Sequence, residues 1–383
     1  MGFLRFILAV SVLIFHSHPI AGIKLVGGQI AVQSFFIISG FYMAFILTEK
    51  YVGNGSYKAF MKSRLVRLFP AYWAVIVLVA MFSLLHSYLL GGGLFLQSWM
   101  ANWQSVNIFS KIYLLFTNVF IFGQDIVMFL QLHQPDGWLF FTSNFTQSQP
   151  QVHTFLLIPQ AWSLSIELLF YCIAPLLVRQ SSFVIVILIS LSLLLRISLY
   201  SVGLNYDPWT YRFFPTELAF FMCGIISYRI YSKFKTHKFQ HQNLLYLTLF
   251  VYALTILFPF MPGVIIKQWL YYIMIMVSIP FMFIYTQRSR ADRLLGELSY
   301  PIYIAHVFVI VLIERIVLST FLKKVLQGQQ DWILNNFLGI AALFLTTWLA
   351  ILLIKLLVEP IEAYRQSIAK RLLEKNLNSK QEI

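Results

Sequence analysis

Apolar runs of about 20 residues recur along almost the whole chain, and this pattern restricts the fold more than any other feature of the sequence. Each run has the length that a helix needs to cross the roughly 30 Å hydrocarbon core of a bilayer. Only 11% of the residues are charged, whereas soluble domains carry about 25%. The sequence therefore predicts an all-α integral membrane protein and excludes a soluble enzyme. The eleven runs lie at residues 3–22, 29–47, 70–90, 112–131, 155–177, 183–200, 213–230, 244–262, 268–286, 298–319 and 335–358.

Basic residues are concentrated in four of the segments outside these runs, and they indicate how the chain is oriented. The segments are 48–69, 229–243, 287–296 and the C-terminal residues 361–383. Lys and Arg accumulate on the cytoplasmic side of membrane proteins, so we expect these segments and both termini to be cytoplasmic. The 132–154 loop contains neither Lys nor Arg and is predicted to be external. Membrane orientation thus explains the net charge of +14, and we expect no nucleic-acid partner.

The number of spans must be even when both termini lie on one side of the membrane, so eleven runs are one too many. The weakest run, 112–131, contains Asn118, Gln124 and Asp125. We predict that this segment is re-entrant or lies at the membrane interface. The remaining runs then form a bundle of about ten transmembrane helices.

The first run shares some features with a secretory signal peptide, because Arg5 precedes a stretch of apolar residues. However, His16 and His18 interrupt the end of that stretch, and no small-residue cleavage site follows. We therefore predict a retained first helix. Residues 1–360 are expected to form one polytopic membrane domain, followed by a basic cytoplasmic tail over 361–383.

Three ionisable side chains are predicted to lie near the middle of the bilayer. At 1.5 Å per residue, His16 lies about 20 Å from the cytoplasmic end of its helix, Glu167 about 18 Å from the outer end and His306 about 12–15 Å from the cytoplasmic end. Ionisable groups at this depth usually face a bundle interior or a water-filled cavity. Two imidazoles and a carboxylate suit proton transfer, because histidine titrates near neutral pH. The alternative is that they only join helices through hydrogen bonds.

Three arginines form a second candidate group. Arg64 and Arg67 lie one helical turn apart before Pro70, where we expect the helix to bend. Paired guanidinium groups suit phosphate, which each can bind through two hydrogen bonds; anchoring to anionic lipid is the alternative. Arg5 precedes His16 by eleven residues on nearly the same helix face, which indicates a path from the membrane edge towards the histidine.

No metal site is predicted, because the sequence contains neither an HExxH nor a CxxC pattern. The two cysteines, Cys172 and Cys223, both lie within apolar runs. We expect them to be buried packing residues and not members of a disulfide framework.

These residues occur in an order that resembles the membrane-bound acyltransferase family 3, and the resemblance covers nearly the whole chain. Each motif alone is a weak signal, but six motifs in this order make a specific one. The motifs are Arg5 followed by His16, FFIISGF at 35–41, Arg64 and Arg67 with Pro70 and Tyr72, Trp162-Ser163-Leu164 with Glu167 and Phe170-Tyr171, Leu298-Ser299-Tyr300 with Tyr303 and His306, and Glu359-Pro360.

The resemblance implies roles for individual residues. His16 would be the catalytic histidine, acting as general base on the acceptor hydroxyl, with Glu167 and His306 as further members of the site. Arg64 and Arg67, together with Arg5, would hold the phosphates of coenzyme A. The chain departs from the pattern in two ways. Many relatives carry an acidic residue just before the FF pair, where this chain has Gln33 and Ser34, and many carry a fused extracytoplasmic hydrolase-like domain, which we do not expect here.

The expected function is therefore that of a membrane O-acyltransferase, with acetyl as the expected acyl group. It would transfer the group from cytoplasmic acetyl-CoA or another acyl-CoA, its co-substrate, to a hydroxyl of a cell-surface or lipid-linked glycan, in a bacterial inner membrane. The alternative is a proton-coupled transporter of small molecules that uses the same histidines and glutamate. A transporter predicts internal repeats with matching broken helices, and the sequence shows none.

Overall fold

The structure is a computed structural model that describes residues 1–320 and 331–381. The described residues are almost entirely helical, and two short strands, β1 (Leu130–Leu132) and β2 (Leu139–Phe141), form an antiparallel hairpin. The helices are α1 (Gly2–His16), α2 (Gly28–Glu49), α3 (Ser56–Leu90), α4 (Gln97–Asn102), α5 (Ile108–Phe120), α6 (Gln124–Val127), α7 (Trp162–Val178), α8 (Ser182–Ser201), α9 (Phe214–Phe234), α10 (His241–Leu257), α11 (Ile265–Thr286), α12 (Arg290–Thr320), α13 (Asp331–Leu353) and α14 (Glu359–Gln381).

Eight helices among the described residues are long and apolar enough to cross a membrane. This confirms the predicted all-α membrane fold. Two of the ten expected spans are not among the eight. Helix α1 has only 15 residues, about 21 Å at 1.5 Å per residue, which is less than the hydrocarbon core. Helix α9 is 21 residues long but more polar, since it contains Glu217, Arg229 and Lys233.

The segment predicted to be re-entrant or interfacial does not form a long helix. Helix α5 ends at Phe120 after 13 residues, which corresponds to about 20 Å. The single turn of α6 and then strand β1 follow it. The chain therefore changes direction within 112–131, as the run's polar residues predicted.

The chain divides into two compact units. The first unit comprises Met1–Arg67, Pro175–Ile185 and Phe220–Ile383, and the second comprises Leu68–Ala174 and Val186–Ala219. The first unit contains the two histidines, His16 and His306. It also contains the three arginines, Arg5, Arg64 and Arg67. Glu167 belongs to the second.

Glycines allow α2 and α9 to pack closely within the first unit. A Cβ atom built on Gly40 would lie 1.9 Å from the carbonyl oxygen of Phe221, and one built on Gly224 would lie 2.1 Å from that of Ile37. Small residues at helix crossings let backbones approach in this way in membranes. The glycine of the SFFIISGF segment is therefore explained by helix packing.

The predicted basic tail is largely helical. Helix α14 follows a π-helical turn at Ile354–Val358, and it contacts the segment around α3 in two places. The Lys62 ammonium lies 5.4 Å from the centre of the Tyr364 ring, and the Asn376 side-chain amide donates to the carbonyl of Val52 at 3.0 Å. The last two residues of the predicted tail, 382–383, lie outside the described residues. Helix α3 itself continues through Pro70 without interruption.

Two buried polar residues of the second unit, Asn118 and Asp125, form hydrogen bonds with other segments of that unit. Asn118 of α5 donates to the carbonyl of Phe155 at 3.0 Å and accepts from the backbone of Leu157 at 2.8 Å. Asp125 accepts a hydrogen bond from Ser165 at 2.7 Å. Lipid offers no hydrogen-bond partners, so polar groups within the bilayer must be satisfied by the protein itself. Asn118 and Asp125 make 112–131 too polar for a typical span. The same two residues connect this segment to the rest of the second unit by hydrogen bonds.

The same unit contains a buried ion pair between α8 and α9. The Arg196 guanidinium lies 2.6 Å from the Glu217 carboxylate and also donates to the carbonyls of Thr210 and Thr216, at 2.6 and 3.1 Å. The side chains are 5% and 0% exposed, respectively. An arginine in the middle of an apolar helix is tolerated here because all of these acceptors surround it.

We predict that Arg196→Met destabilises the protein by about 3–5 kcal/mol, because the change leaves the Glu217 charge buried without its partner. The measurement is thermal unfolding of the purified protein in detergent. Arg196→Met combined with Glu217→Gln should recover part of the loss, and Lys233→Met at the exposed end of α9 should have little effect. Equal stability of Arg196→Met and the parent protein would contradict this account.

Candidate active site

Asp292, near the start of α12, caps the beginning of α1. Its carboxylate accepts hydrogen bonds from the Met1 amine at 2.8 Å, from the Gly2 amide at 2.7 Å and from the Phe3 amide at 2.9 Å. The first backbone N–H groups of a helix have no partner within the helix, and a carboxylate at this end also interacts favourably with the helix dipole. Asp292 therefore fixes where α1 begins relative to α12.

Two glycines bring these helices into direct contact at the same level. A Cβ atom built on Gly2 would overlap the Asp292 carbonyl oxygen at 1.6 Å, and one built on Gly296 would lie 2.9 Å from the Gly2 Cα atom. Any larger residue at either glycine would separate the helices. The contact is close because neither residue has a side chain.

The two histidines meet because equal lengths of helix follow this contact. His16 lies 14 residues after Gly2, and His306 lies 14 residues after Asp292, which is about 21 Å along each helix. The imidazole ring centres are 5.3 Å apart, with the ring planes inclined at 37°. The sequence predicted that both histidines lie at one depth, and the structure places them side by side.

His306 is held in a fixed orientation. It is completely buried, and its Nδ1 atom lies 2.7 Å from the carbonyl oxygen of Tyr303. A carbonyl only accepts hydrogen bonds, so Nδ1 carries the proton, and Nε2 of the neutral ring is left as an acceptor. Among the residues that the structure describes, none forms a hydrogen bond with this Nε2 atom.

His16 is the last residue of α1 and is exposed. The predicted first span, 3–22, is therefore wrong at its outer end, because the helix stops six residues earlier. The following chain folds back along α13, where the amide of Ala21 donates to the Asn336 side chain at 2.5 Å. That contact and the positive φ of Ala21 are incompatible with a continued helix. His16 thus lies at the end of a helix, where its ring is accessible.

The predicted donor-site arginines lie at other positions in the same unit. The Arg5 guanidinium is 5.9 Å from the centre of the Tyr42 ring, and both Arg5 and Arg67 lie within electrostatic range of the Tyr42 hydroxyl. Arg64 is buried, with its guanidinium 6.0 Å from the Phe60 ring. The structure therefore places Arg5 beside Tyr42.

Reasoning from the sequence did not establish the positions of Tyr42 and Asp292. Tyr42 follows the Ser39-Gly40 pair in α2, and its position beside Arg5 depends on how α1 and α2 pack. Asp292 is the one acidic residue in the basic segment 287–296. An acidic residue in the first turn of a helix is a signal for capping, but the sequence could not show that it caps a different helix.

Glu167 lies on α7 in the second unit. Its carboxylate accepts a hydrogen bond from the Tyr171 hydroxyl at 2.5 Å, one helical turn later. Ser163, one turn earlier, donates to the backbone carbonyl of Gln160 at 3.3 Å. The catalytic role of Glu167 stays a prediction.

Cys172 and Cys223 are free, half-buried thiols and not fully buried as expected. Within residues 1–320 and 331–381, no group of three or more His, Cys, Asp or Glu side chains could hold a metal ion.

Comparison with known families identifies the chain. The model of a family described as "Acyltransferase domain" matches residues 1–355. No curated protein and no solved structure matches the chain. Since the family model covers more than nine-tenths of the 383 residues, the chain belongs to this family, and the resemblance seen in its motifs is confirmed. It is a membrane acyltransferase.

We predict that Asp292→Ala lowers the stability of the protein by about 1–3 kcal/mol, because the start of α1 loses a charged cap. Thermal unfolding in detergent is the measurement. Asp136→Ala is the matched control, since Asp136 is an exposed acid that contacts His133 and the Trp138 amide within its own loop and should change little. The capping role would be wrong if the two variants unfolded at the same temperature.

Proposed function

We propose that this acyltransferase transfers an acyl group, most simply acetyl, from a cytoplasmic acyl-CoA to a hydroxyl of a cell-surface or lipid-linked glycan. The observation that carries the proposal is the pair of imidazoles formed by His16 and His306, with ring centres 5.3 Å apart. One ring is exposed and the other is buried with a fixed tautomer. Such a pair can accept a proton and stabilise the resulting charge.

In the proposed reaction, His16 acts as general base. Its ring accepts the proton of the acceptor hydroxyl while that oxygen attacks the thioester carbonyl of acyl-CoA. A C–O bond forms, the C–S bond breaks, and the coenzyme A thiolate takes the proton from the His16 imidazolium. Oxygen ester and free coenzyme A thiol are the products, so atoms and charges balance without a covalent enzyme intermediate.

His306 is proposed to support the charged state of His16. Its Nδ1 atom is committed to the Tyr303 carbonyl, and its Nε2 atom is a hydrogen-bond acceptor in a buried position. An acceptor beside His16 favours the protonated form that arises during the reaction. The fixed tautomer matters because the opposite one would present an N–H group and disfavour the imidazolium.

The donor is proposed to bind through Arg5, Arg64 and Arg67. Coenzyme A carries several phosphates, and guanidinium groups can bind phosphate oxygens in pairs. Arg5 lies on the same helix as His16, eleven residues and about 16 Å before it. This distance suits acyl-coenzyme A, whose phosphates lie far from its thioester. Tyr42 lies beside Arg5.

Other features of the proposal follow from the predicted orientation. The basic segments, including 48–69 and 287–296, would lie in the cytoplasm of a bacterium, and the membrane would be the inner one. Glu167 would act on the acceptor side of the reaction. The partners would be the lipid bilayer, acyl-CoA and the glycan acceptor.

We predict that His16→Ala strongly reduces acyl transfer and leaves the fold intact, because the ring is exposed at the end of α1. The measurement is consumption of labelled acetyl-CoA by vesicles that carry the protein, with mass spectrometry of the surface glycan in cells. A loss of about 10²–10⁴-fold is expected when a general base is removed.

His18→Ala is the matched control, since this histidine lies two residues later, beyond the end of α1, and should retain activity. Full activity of His16→Ala would refute the role of general base. Movement of a solute or of protons without any consumption of acetyl-CoA would favour the transporter.

We predict that Arg64→Gln raises the KM for acetyl-CoA about 10-fold or more, since hydrogen bonds to charged groups contribute about 1.5–3 kcal/mol. Steady-state kinetics at varied acetyl-CoA provides the test. Lys58→Gln, an exposed change nearly two turns earlier on α3, should leave the KM unchanged. An unchanged KM in Arg64→Gln would exclude this arginine from the donor site.

A further inference from the structure

A cavity of about 450 Å³ lies within the first unit, among the ends of α1, α10, α11 and α12. Neither the paired histidines nor the arginines of the proposed donor site line it. The lining residues of α10 are His241 at the first turn and the apolar Leu245 and Leu249 further along, and Thr248 and Tyr252 add hydroxyl groups among them. Tyr285, Ser289 and Asp292 add polar groups at the same end as His241.

The apolar part of the cavity opens on the surface of α10. Leu249 lines the cavity and is 52% exposed, and its neighbour Phe250 is 55% exposed. Leu249 lies eight residues after His241, about 12 Å along the helix. Because α10 is long and apolar enough to span the membrane, exposed residues at this depth face the hydrocarbon. The cavity is therefore accessible from lipid as well as from the membrane surface.

Exposed arginines flank the polar end of the cavity in sequence, although none of them lines it. The segment that contains Ser289 and Asp292 also contains Arg288, Arg290 and Arg293, all exposed. Asp292 does not cancel their charge, because its carboxylate forms an ion pair with the Met1 amine at 2.8 Å. Basic clusters at the ends of membrane helices attract anionic lipid headgroups, with about 1 kcal/mol for each Lys or Arg near the surface.

We propose that this cavity binds one anionic phospholipid. The arginines of 288–293, with the hydroxyls of Tyr285 and Ser289, would bind its phosphate, and one acyl chain would lie against Leu245 and Leu249. A soluble anion would match only the polar end of the cavity. A phospholipid matches both ends, since its headgroup and chain lie at the depths of the polar and apolar lining.

Bound lipid would also hold the start of α1. Phe3 and Asp292 line the cavity, and the same two residues form part of the cap that docks α1 against α12. The Phe3 ring packs edge-on against Tyr252, another lining residue, at 4.8 Å. Occupancy of the cavity would therefore stabilise the helix that carries His16. This site is independent of the proposed reaction, because it requires no step of acyl transfer.

The test compares phosphatidylglycerol with phosphatidylcholine. The purified, delipidated protein is placed in nanodiscs of either phosphatidylcholine alone or a mixture of the two lipids. Thermal unfolding reports stabilisation, and native mass spectrometry in detergent counts the retained lipid. We expect one phosphatidylglycerol molecule to be retained at least about tenfold more tightly than phosphatidylcholine, and the unfolding temperature to rise with it.

Two matched pairs of variants locate the site. Leu249→Trp fills the cavity and should reduce phosphatidylglycerol retention about tenfold, whereas Leu257→Trp should not, although it is equally exposed on the same helix. Arg293→Gln should weaken the preference for the anionic lipid, whereas Lys233→Gln, at the end of α9, should not. If Leu249→Trp fails to fold, the comparison of the two lipids with the unmodified protein still decides the outcome.

Three results would overturn the proposal. The first is equal retention of the two lipids by the unmodified protein. The second is equal loss in Leu249→Trp and Leu257→Trp, which would indicate general lipid contact. The third is competition by inorganic phosphate or by acetyl-CoA, which would assign the cavity to a soluble anion or to the donor. None of these results depends on whether acyl transfer occurs.

Discussion

The Asp292 carboxylate and the α1 backbone form the interaction on which the rest of the candidate site depends. The first N–H groups of a helix have no partner within the helix, and the start of α1 is buried, so another part of the protein must supply the acceptor. Asp292 supplies this acceptor from α12, and the glycines at 2 and 296 let the backbones touch. Because α1 and α12 start together, equal numbers of residues bring His16 and His306 to the same height. The contact between Gly2 and Asp292 thus determines how the two imidazoles are placed, although they lie about 21 Å from it along their helices.

The two imidazoles differ in their surroundings, and the difference gives them separate tasks. His306 is buried in the middle of a long helix, and its hydrogen bond to the Tyr303 carbonyl fixes its tautomer. His16 is the last residue of its helix, and its ring is exposed. A base must reach its substrate, whereas a supporting group must stay in place. The end of α1 at His16 leaves the ring accessible, as the proposed reaction requires.

The fold class was predictable because the bilayer imposes a strict requirement on length and polarity. Eight of the eleven predicted runs form long apolar helices, and 112–131, which contains Asn118, Gln124 and Asp125, is one of the three that do not. The end of α1 was not predictable. Ile20 and Ile23 look like membrane residues in the sequence, but the chain there bends to meet α13 through Asn336. Hydropathy reports the surroundings of a residue and not whether its backbone is helical.

The sequence by itself determined the membrane class and the family, since the length and polarity of segments and the order of motifs can be read along the chain. It also identified Arg5, Arg64 and Arg67 as anion-binding candidates. Only the tertiary structure decided which groups meet. The pairing of His16 with His306, the position of Tyr42 beside Arg5, and the cap that Asp292 places on another helix all join residues distant in sequence. Helix faces and register set such contacts, and these depend on packing that no single segment encodes.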